Sequence, residues 1–310
     1  MQTAPEAYEL DDHRLDELEA RVVAMLAVGA PDRVVACAFV DGGSPLAAFG
    51  RTLEARSFPG YDFAQALAVY EDRSIFVYTV DVEVRRIAHV KRMVLPLRHR
   101  GADGRTGIEV LDDRLRAEDP KEQADLDDIL RHHQLADVHR CVNLTTSMGT
   151  ERGVRPTRAR PYSLLGYRAL FEWGVTRHYD HLFAYVNRGT VRSIGRLGIT
   201  GGLLLDREFH LPDPRGGYDL DYVAVHLDGG PRSVEVFTVG DPAFPLSGLL
   251  AAIDLPVVII ADDDDVVIDL RDSPSGPVQG ADDDVVIDLR DDPTAPMPDP
   301  SSPSRPDRLS

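Results

Sequence analysis

Cysteine is scarce. The chain holds only Cys37 and Cys141, far apart in sequence. Two thiols allow neither a disulfide framework nor a zinc quartet, and they fit a reducing cytoplasm. No apolar run approaches the roughly 18 residues that a membrane span needs. The first twelve residues are polar and acidic, with no basic stretch ahead of an apolar one, which speaks against a secretory signal. Cations are outnumbered, 34 Lys and Arg against 52 Asp and Glu, for a net charge of −18. Such a balance argues against nonspecific nucleic-acid binding, which sets cationic groups against phosphates. Gly201-Gly202 and Gly216-Gly217 are followed by no Lys-Ser/Thr pair, so no P-loop is present. A G-x-S-x-G elbow is also missing, against an α/β hydrolase. His132-His133 with His139 lacks a third-ligand spacing, so no metal is expected.

What remains is a chain of 310 residues, 43% hydrophobic and 28% charged, enough for one large or two modest domains with a real core. Its character changes at 261. Residues 261–310 hold 14 aspartates against four arginines, and eight of the 22 prolines. That composition cannot bury enough apolar area to offset ordering entropy, so 261–310 is predicted to be a disordered, acidic, Pro-rich tail following a domain over 1–260. The tail carries a repeat. The run ADDDDVVIDLRD at 261–272 recurs, one aspartate shorter, within 281–292. Each copy is an acidic run beside a β-prone core, able to add to a sheet edge with a basic rim, and two copies could raise avidity for a protein partner. The cores are similar to acid-flanked peptides that bind ubiquitin-like modifiers by strand addition. A solubilising tail or a neutral duplication fits as well.

Within 1–260 the predicted elements mix strands and helices. Asp11 or Asp12 can cap a helix with Leu15, Leu18, Val22 and Met25 on one face. Strands are expected at 34–40, 74–80, 82–95, 138–146, 181–187, 202–209, 219–227, 233–239 and 256–260, and helices at 45–57, 161–177, 189–197 and 243–253. Residues 97–137 read as a charged insert. In 82–95 neither side alternates as cleanly apolar, so burial there is only moderately supported. The mixture favours an α/β (α+β) fold, a central sheet with helices on both faces. Two basic stretches stand out: Arg85, Arg86, Lys91, Arg92, Arg98, Arg100 and Arg105, and then Arg152, Arg155, Arg158 and Arg160. Each is either a solvated loop or a site for phosphates or an acidic partner.

The stretch 161–205 reads helix, buried strand, helix, glycine stop. An asparagine, Asn187, closes the strand; Thr190 follows, then Arg196, Gly198 and Ile199. That spacing resembles the C-terminal motif N-x-x-A-x-x-L-Y-x-K-x-G-F of the GNAT acyltransferases. Ile194 stands where the family usually has a tyrosine that acts as general acid. The family's R-x-x-G-x-G/A phosphate loop is degraded in 158–166, where Gly166 is the only glycine. Loss of both features is similar to the divergent acyl-homoserine-lactone and N-acyl amino acid synthases. The resemblance implies a GNAT-like mixed, mostly antiparallel sheet. It also implies two adjacent parallel strands, about 138–146 and 181–187, that splay to admit a pantetheine arm.

The resemblance further implies transfer of an acyl group from acyl-CoA or an acyl-phosphopantetheine on acyl carrier protein to a small amine or amino acid. It implies no permanently bound cofactor. The donor would meet Thr146, Ser147, Met148 and Gly149, then Arg152, Arg155, Arg158 and Arg160, which would replace glycine amides with charge, and Ser163 at the helix start. Asn187 either orients the arm or caps the next turn. The base is open. His89 has a suitable pKa type, and His89-x-x-Arg92 parallels the Glu-x-x-Arg of the lactone synthases; a strand histidine with a structural hydrogen bond is the plainer alternative. Glu83 is a rival candidate, with Glu151, and a surface carboxylate is the plain alternative. A different class is a GNAT-shaped module without catalysis that docks a partner through its acidic tail.

Overall fold

The computed structural model describes residues 10–29, 34–58, 61–62, 66–150, 152, 156–157, 160–211, 222–260 and 267–269. Helix α1 (Asp12–Gly29) leads into β1 (Val35–Asp41), α2 (Ala47–Ser57), β2 (Ser74–Asp81) and β3 (Arg86–Val94). Two helices, α3 (Glu109–Arg116) and α4 (Leu126–His132), precede β4 (Cys141–Gly149), α5 (Tyr162–Thr176), β5 (His181–Asn187) and α6 (Arg188–Leu197). Then come β6 (Gly201–Leu203), β7 (His210–Leu211), β8 (Tyr222–Asp228), α7 (Pro231–Thr238), α8 (Pro245–Ala251), β9 (Val257–Ile260) and β10 (Val267–Asp269). The strands form one sheet in the order β10-β9-β1-β2-β3-β4-β5-β8-β6, with β7 also on β8. Among the described residues only β1–β9 and β4–β5 are parallel pairs. The expected mixed, mainly antiparallel sheet with helices on both faces is therefore the architecture observed.

Both faces of the central strands are covered, which is why β1 reads as an unbroken apolar run. On one face Ala36, Ala38, Phe76, Tyr78, Val80 and Val90 pack under α1 and α2. Leu15, Leu18 and Val22 of α1 are buried as the spacing predicts, and Leu26 joins them. Further along that face α3 and α4 cover Cys141, Phe183 and Ala224. The opposite face carries Cys37, Val77, Met93, Val142, Leu144, Ala184 and Val225 under α5 and the later helices.

The charged stretch 97–137, read as mostly helical or loop, carries α3 and α4, and its Ile108, Val110, Leu111 and Ile129 are buried against the sheet. Other expectations need correction. The strand expected at 202–209 stops at Leu203, where Leu204–Asp206 forms a short helical turn. The segment expected as a strand at 233–239 is α7. Its β-branched residues suggested extension, but Pro231 opens a helix, and Ser233, Val236 and Phe237 then share one buried side at helical spacing. Strand β3 is buried from Ile87 to Val94 despite its charges, because both of its faces are covered by helices. In the predicted disordered tail, Val267–Asp269 of the first repeat forms β10, antiparallel to β9. The second repeat and the rest of 270–310 lie outside the described residues. Among the described residues no helix is long and apolar enough to cross a membrane.

Candidate active site where two strands part

The parallel ladder between β4 and β5 runs from Cys141–His181 to Leu144–Ala184 and ends there. Both strands continue. Beyond Leu144, β4 stays paired with β3 through Thr146–Arg92, Ser147–Lys91, Met148–Val90 and Gly149–His89. Beyond Ala184, β5 stays paired with β8 through Asn187–Tyr222. A register shift between Arg92 and Met93 leaves Thr145 as an extra residue on β4. Such a bulge bends its strand and increases the local twist, which turns β4 away from β5. Among the described residues no strand pairs with one edge of β4 along 145–149, so alternate amides and carbonyls there are available to an extended guest. Ser147 and Gly149 are exposed in this segment.

Alternation sends successive β3 side chains to opposite faces. Toward α5 go His89 and Lys91. Lys91 is wholly buried; its Nζ lies 2.8 Å from Ser147 Oγ, 3.3 Å from Ser163 Oγ and 3.8 Å from the centre of the Tyr167 ring. No carboxylate pairs with it among the described residues. Burial holds its amine well below the usual lysine range. Helix α5 comes this close because residue 166 is glycine: a Cβ there would sit 2.8 Å from Thr79 Oγ1 and 3.1 Å from Lys91 Cε. His89 is buried beside Lys91, and its Nδ1 has no hydrogen-bond partner among the described residues. Burial, with Lys91 as the lesser cause, holds its imidazole well below the ordinary value.

Toward α2 goes Arg92. Its guanidinium, fully buried, reaches Glu54 Oε2 at 3.1 Å, Glu71 Oε2 at 2.5 Å and Ser74 Oγ at 2.8 Å. Glu71 also pairs with Arg51, and Glu54 accepts from Thr146 Oγ1 at 2.5 Å. Burial raises the Glu54 carboxyl against the pull of Arg92. For Glu71 burial also pushes upward, but Arg92 and Arg51 outweigh it and hold the carboxyl below its ordinary value. Arg92, Thr146 and these acids form a closed, mutually satisfied network between sheet and helix.

A third group lies where the ladder ends, on the face covered by α3. Asn143 Nδ2 donates to Glu109 Oε2 at 3.3 Å and to Thr145 Oγ1 at 3.3 Å. Asp113, one helical turn from Glu109, accepts from the Tyr185 hydroxyl at 3.1 Å. Glu109 is partly accessible yet enclosed. That enclosure, and next the Asp113 charge, push its carboxyl up to about 8. Burial likewise raises Asp113. Glu109 was not singled out from the sequence, where it is one carboxylate in a charged stretch. The available signal was the apolar spacing Ile108, Val110, Leu111, which turns α3 onto the sheet and sets Glu109 and Asp113 side by side.

The remaining residues named from the sequence are dispersed. Glu83 is an exposed partner of Arg160, whose other contact is Asp81. Arg152 pairs with Asp16 and Glu19 of α1. Arg155, Arg158 and Glu151 lie outside the described residues. Met148 is buried under the α1 and α2 helices. Asn187 caps α6, its Oδ1 accepting from Thr190 N at 2.7 Å, and Gly198 ends that helix at φ 81°. Ile194 is a core residue. His133 packs against His226 with ring centres 4.4 Å apart. Among the described residues no group of His, Cys, Asp or Glu could hold a metal ion.

No family model matches the chain, and no curated protein matches it. Several solved structures are similar to it at low identity. The CoA-dependent acyl-homoserine lactone synthase MesI is 14% identical, with a TM-score of 0.38, over 64% of this chain and 92% of its own. The CoA-dependent acyl-homoserine lactone synthase BjaI, solved with SAM and isopentyl-CoA, is 10% identical, with a TM-score of 0.40, over 71% of this chain and 93% of its own. FeeM, an N-acyl amino acid synthase from uncultured soil microbes, is 11% identical, with a TM-score of 0.36, over 71% of this chain and 87% of its own.

Proposed function

We propose that the protein is an acyltransferase that moves an acyl group from a thioester donor to a small amine. The observation that carries this reading is the end of the β4–β5 ladder at Leu144–Ala184 while both strands run on. A gap between two strands accepts an extended, amide-bearing tether as a sheet accepts an added strand. A pantetheine arm is such a tether, and its thioester then lies along the open edge of β4. Unpartnered amides there suit the oxyanion that develops on the carbonyl. The incoming ammonium must lose a proton before it attacks. Glu109, accessible at the branch and poised at about 8, is matched to that task near neutral pH.

Arg92 serves the scaffold in this reading, since Glu54 and Glu71 occupy its fork. Arg152 and Arg160 are neutralised by carboxylates of the same chain. That lessens what they offer the phosphates of acyl-CoA and an acidic carrier protein alike. The test is thiol release from acetyl-, octanoyl- and decanoyl-CoA, and from the matching acyl carrier proteins, with and without the common amino acids and simple alkylamines. Hydrogen exchange follows 145–149 in parallel. Amine-dependent thiol release with protection of 145–149 by acyl-CoA is expected. No thiol release from any donor and unchanged exchange at 145–149 would remove the reading.

A further inference from the structure

A lysine ammonium sealed from water without a carboxylate costs several kcal/mol to keep charged, so such a lysine is held as the neutral amine. Lys91 is in that position. Its Nζ points at one exposed hydroxyl, Ser147 Oγ at 2.8 Å, on the part of β4 that has left β5. A second hydroxyl, Ser163 Oγ, lies at 3.3 Å, and the Tyr167 ring face, 3.8 Å away, receives a cation when the amine takes up a proton. A nucleophilic hydroxyl, a base within hydrogen-bond reach and further groups that orient the base are the elements of an activated serine, and Ser–Lys pairs are one form of it.

We propose that Ser147 and Lys91 form a nucleophile–base pair and that the acyl group passes through an acyl-Ser147 ester on its way to the amine. The inference rests on the split between β4 and β5 being a thioester site, and it goes beyond that reading in replacing direct transfer by two displacements. In the first, the Ser147 hydroxyl gives its proton to Lys91 Nζ, Oγ bonds to the thioester carbonyl carbon, and the C–S bond breaks. The thiolate leaves with the proton from Lys91. In the second, the acceptor, already deprotonated by Glu109, attacks the ester carbonyl. The new C–N bond forms and the C–Oγ bond breaks. The proton shed by the nitrogen returns through Lys91 to Ser147 Oγ. Atoms and charge balance with the thioester and the amine as the only reactants. Ser163 and Tyr167 are positioning residues that aim Lys91.

The test uses the full chain and decanoyl-CoA without amine, followed by intact-mass and peptide mapping. The expected result is a single acyl adduct on the peptide bearing Ser147, absent from Ser147→Ala and Lys91→Met. With amine present, initial rates follow a ping-pong pattern, and both variants lose roughly 10²-fold or more in kcat. A fluorophosphonate probe labels Ser147 in the wild type and not in Lys91→Met, whatever the preferred donor. Matching thermal unfolding of both variants and wild type shows that the loss is chemical. Wild-type transfer to amine with no adduct, no labelling and an undiminished Ser147→Ala enzyme would overturn the acyl-serine route and leave the transferase reading standing. Absence of thiol release with or without amine, from any donor, instead marks failure of the reading itself.

Discussion

Lys91 and Arg92 are chain neighbours on β3, equally buried, and opposite in how their charge is treated. Arg92 meets two carboxylates and a serine hydroxyl in a mutually satisfied network, with Glu54 wholly and Glu71 mostly buried. Lys91 meets two hydroxyls and an aromatic face, one of the hydroxyls exposed. A satisfied buried cation ties helix to sheet and is costly to break, because its removal strands the partner charges. A buried cationic group given no counter-charge is poised to exchange a proton. The same strand thus carries scaffold on one face and reactivity on the other.

The largest effect expected from breaking this contrast is at the scaffold. Arg92→Ala should cost about 3–5 kcal/mol of stability, since Glu54 is left buried without its partner; chemical denaturation measures it. Lys91→Met, by the same measurement, should stay within about 1 kcal/mol of wild type, because an apolar chain of similar volume replaces a buried amine that has no counter-charge. Equal losses at the two positions would erase the distinction.

Gly166→Ala comes next. Its methyl would press on Thr79 and Lys91, and overpacking of this kind costs about 1–3 kcal/mol. Acyl transfer should fall further than stability, as Lys91 Nζ is displaced from Ser147. Asn187→Ala should cost about 1 kcal/mol through the lost α6 cap while transfer persists.

The pH dependence sharpens the Glu109 side. Its folded pKa of about 8 exceeds the ordinary 4.5, so the folded protein holds that proton more tightly than the unfolded chain does. Ionising it therefore costs stability progressively as pH rises from about 4.5 to about 8. The stability of Glu109→Gln relative to wild type should climb across that window and level off above it. In wild type kcat/KM should rise with an apparent pKa near 8, and Glu109→Gln should lose that limb. A flat difference in melting temperature from pH 5 to pH 9 would refute the shift.

Much of this was legible along the chain. Helix α5, strand β5 and helix α6 with its Asn187 cap and Gly198 stop followed from apolar spacing and end residues, which are local quantities. Asn187 kept both its options until Thr190 N was seen to occupy its oxygen. The burial of strand β3 was only partly legible because alternation assigns one face to water, whereas here both faces are covered. Arg160 was expected to face phosphate, but Asp81 and Glu83, nearly 80 residues upstream, claim it.

The sequence by itself determined the mixed α/β character, the order of most elements and the chemistry available at each position, because these depend on neighbours within a few residues. Only the tertiary structure decided where β4 leaves β5, which cation is paired and which is not, and that Glu109 stands at the branch. Those outcomes depend on which distant side chains share one small volume shielded from water, where a missing counter-charge or an ended ladder changes the chemistry and no local pattern records it.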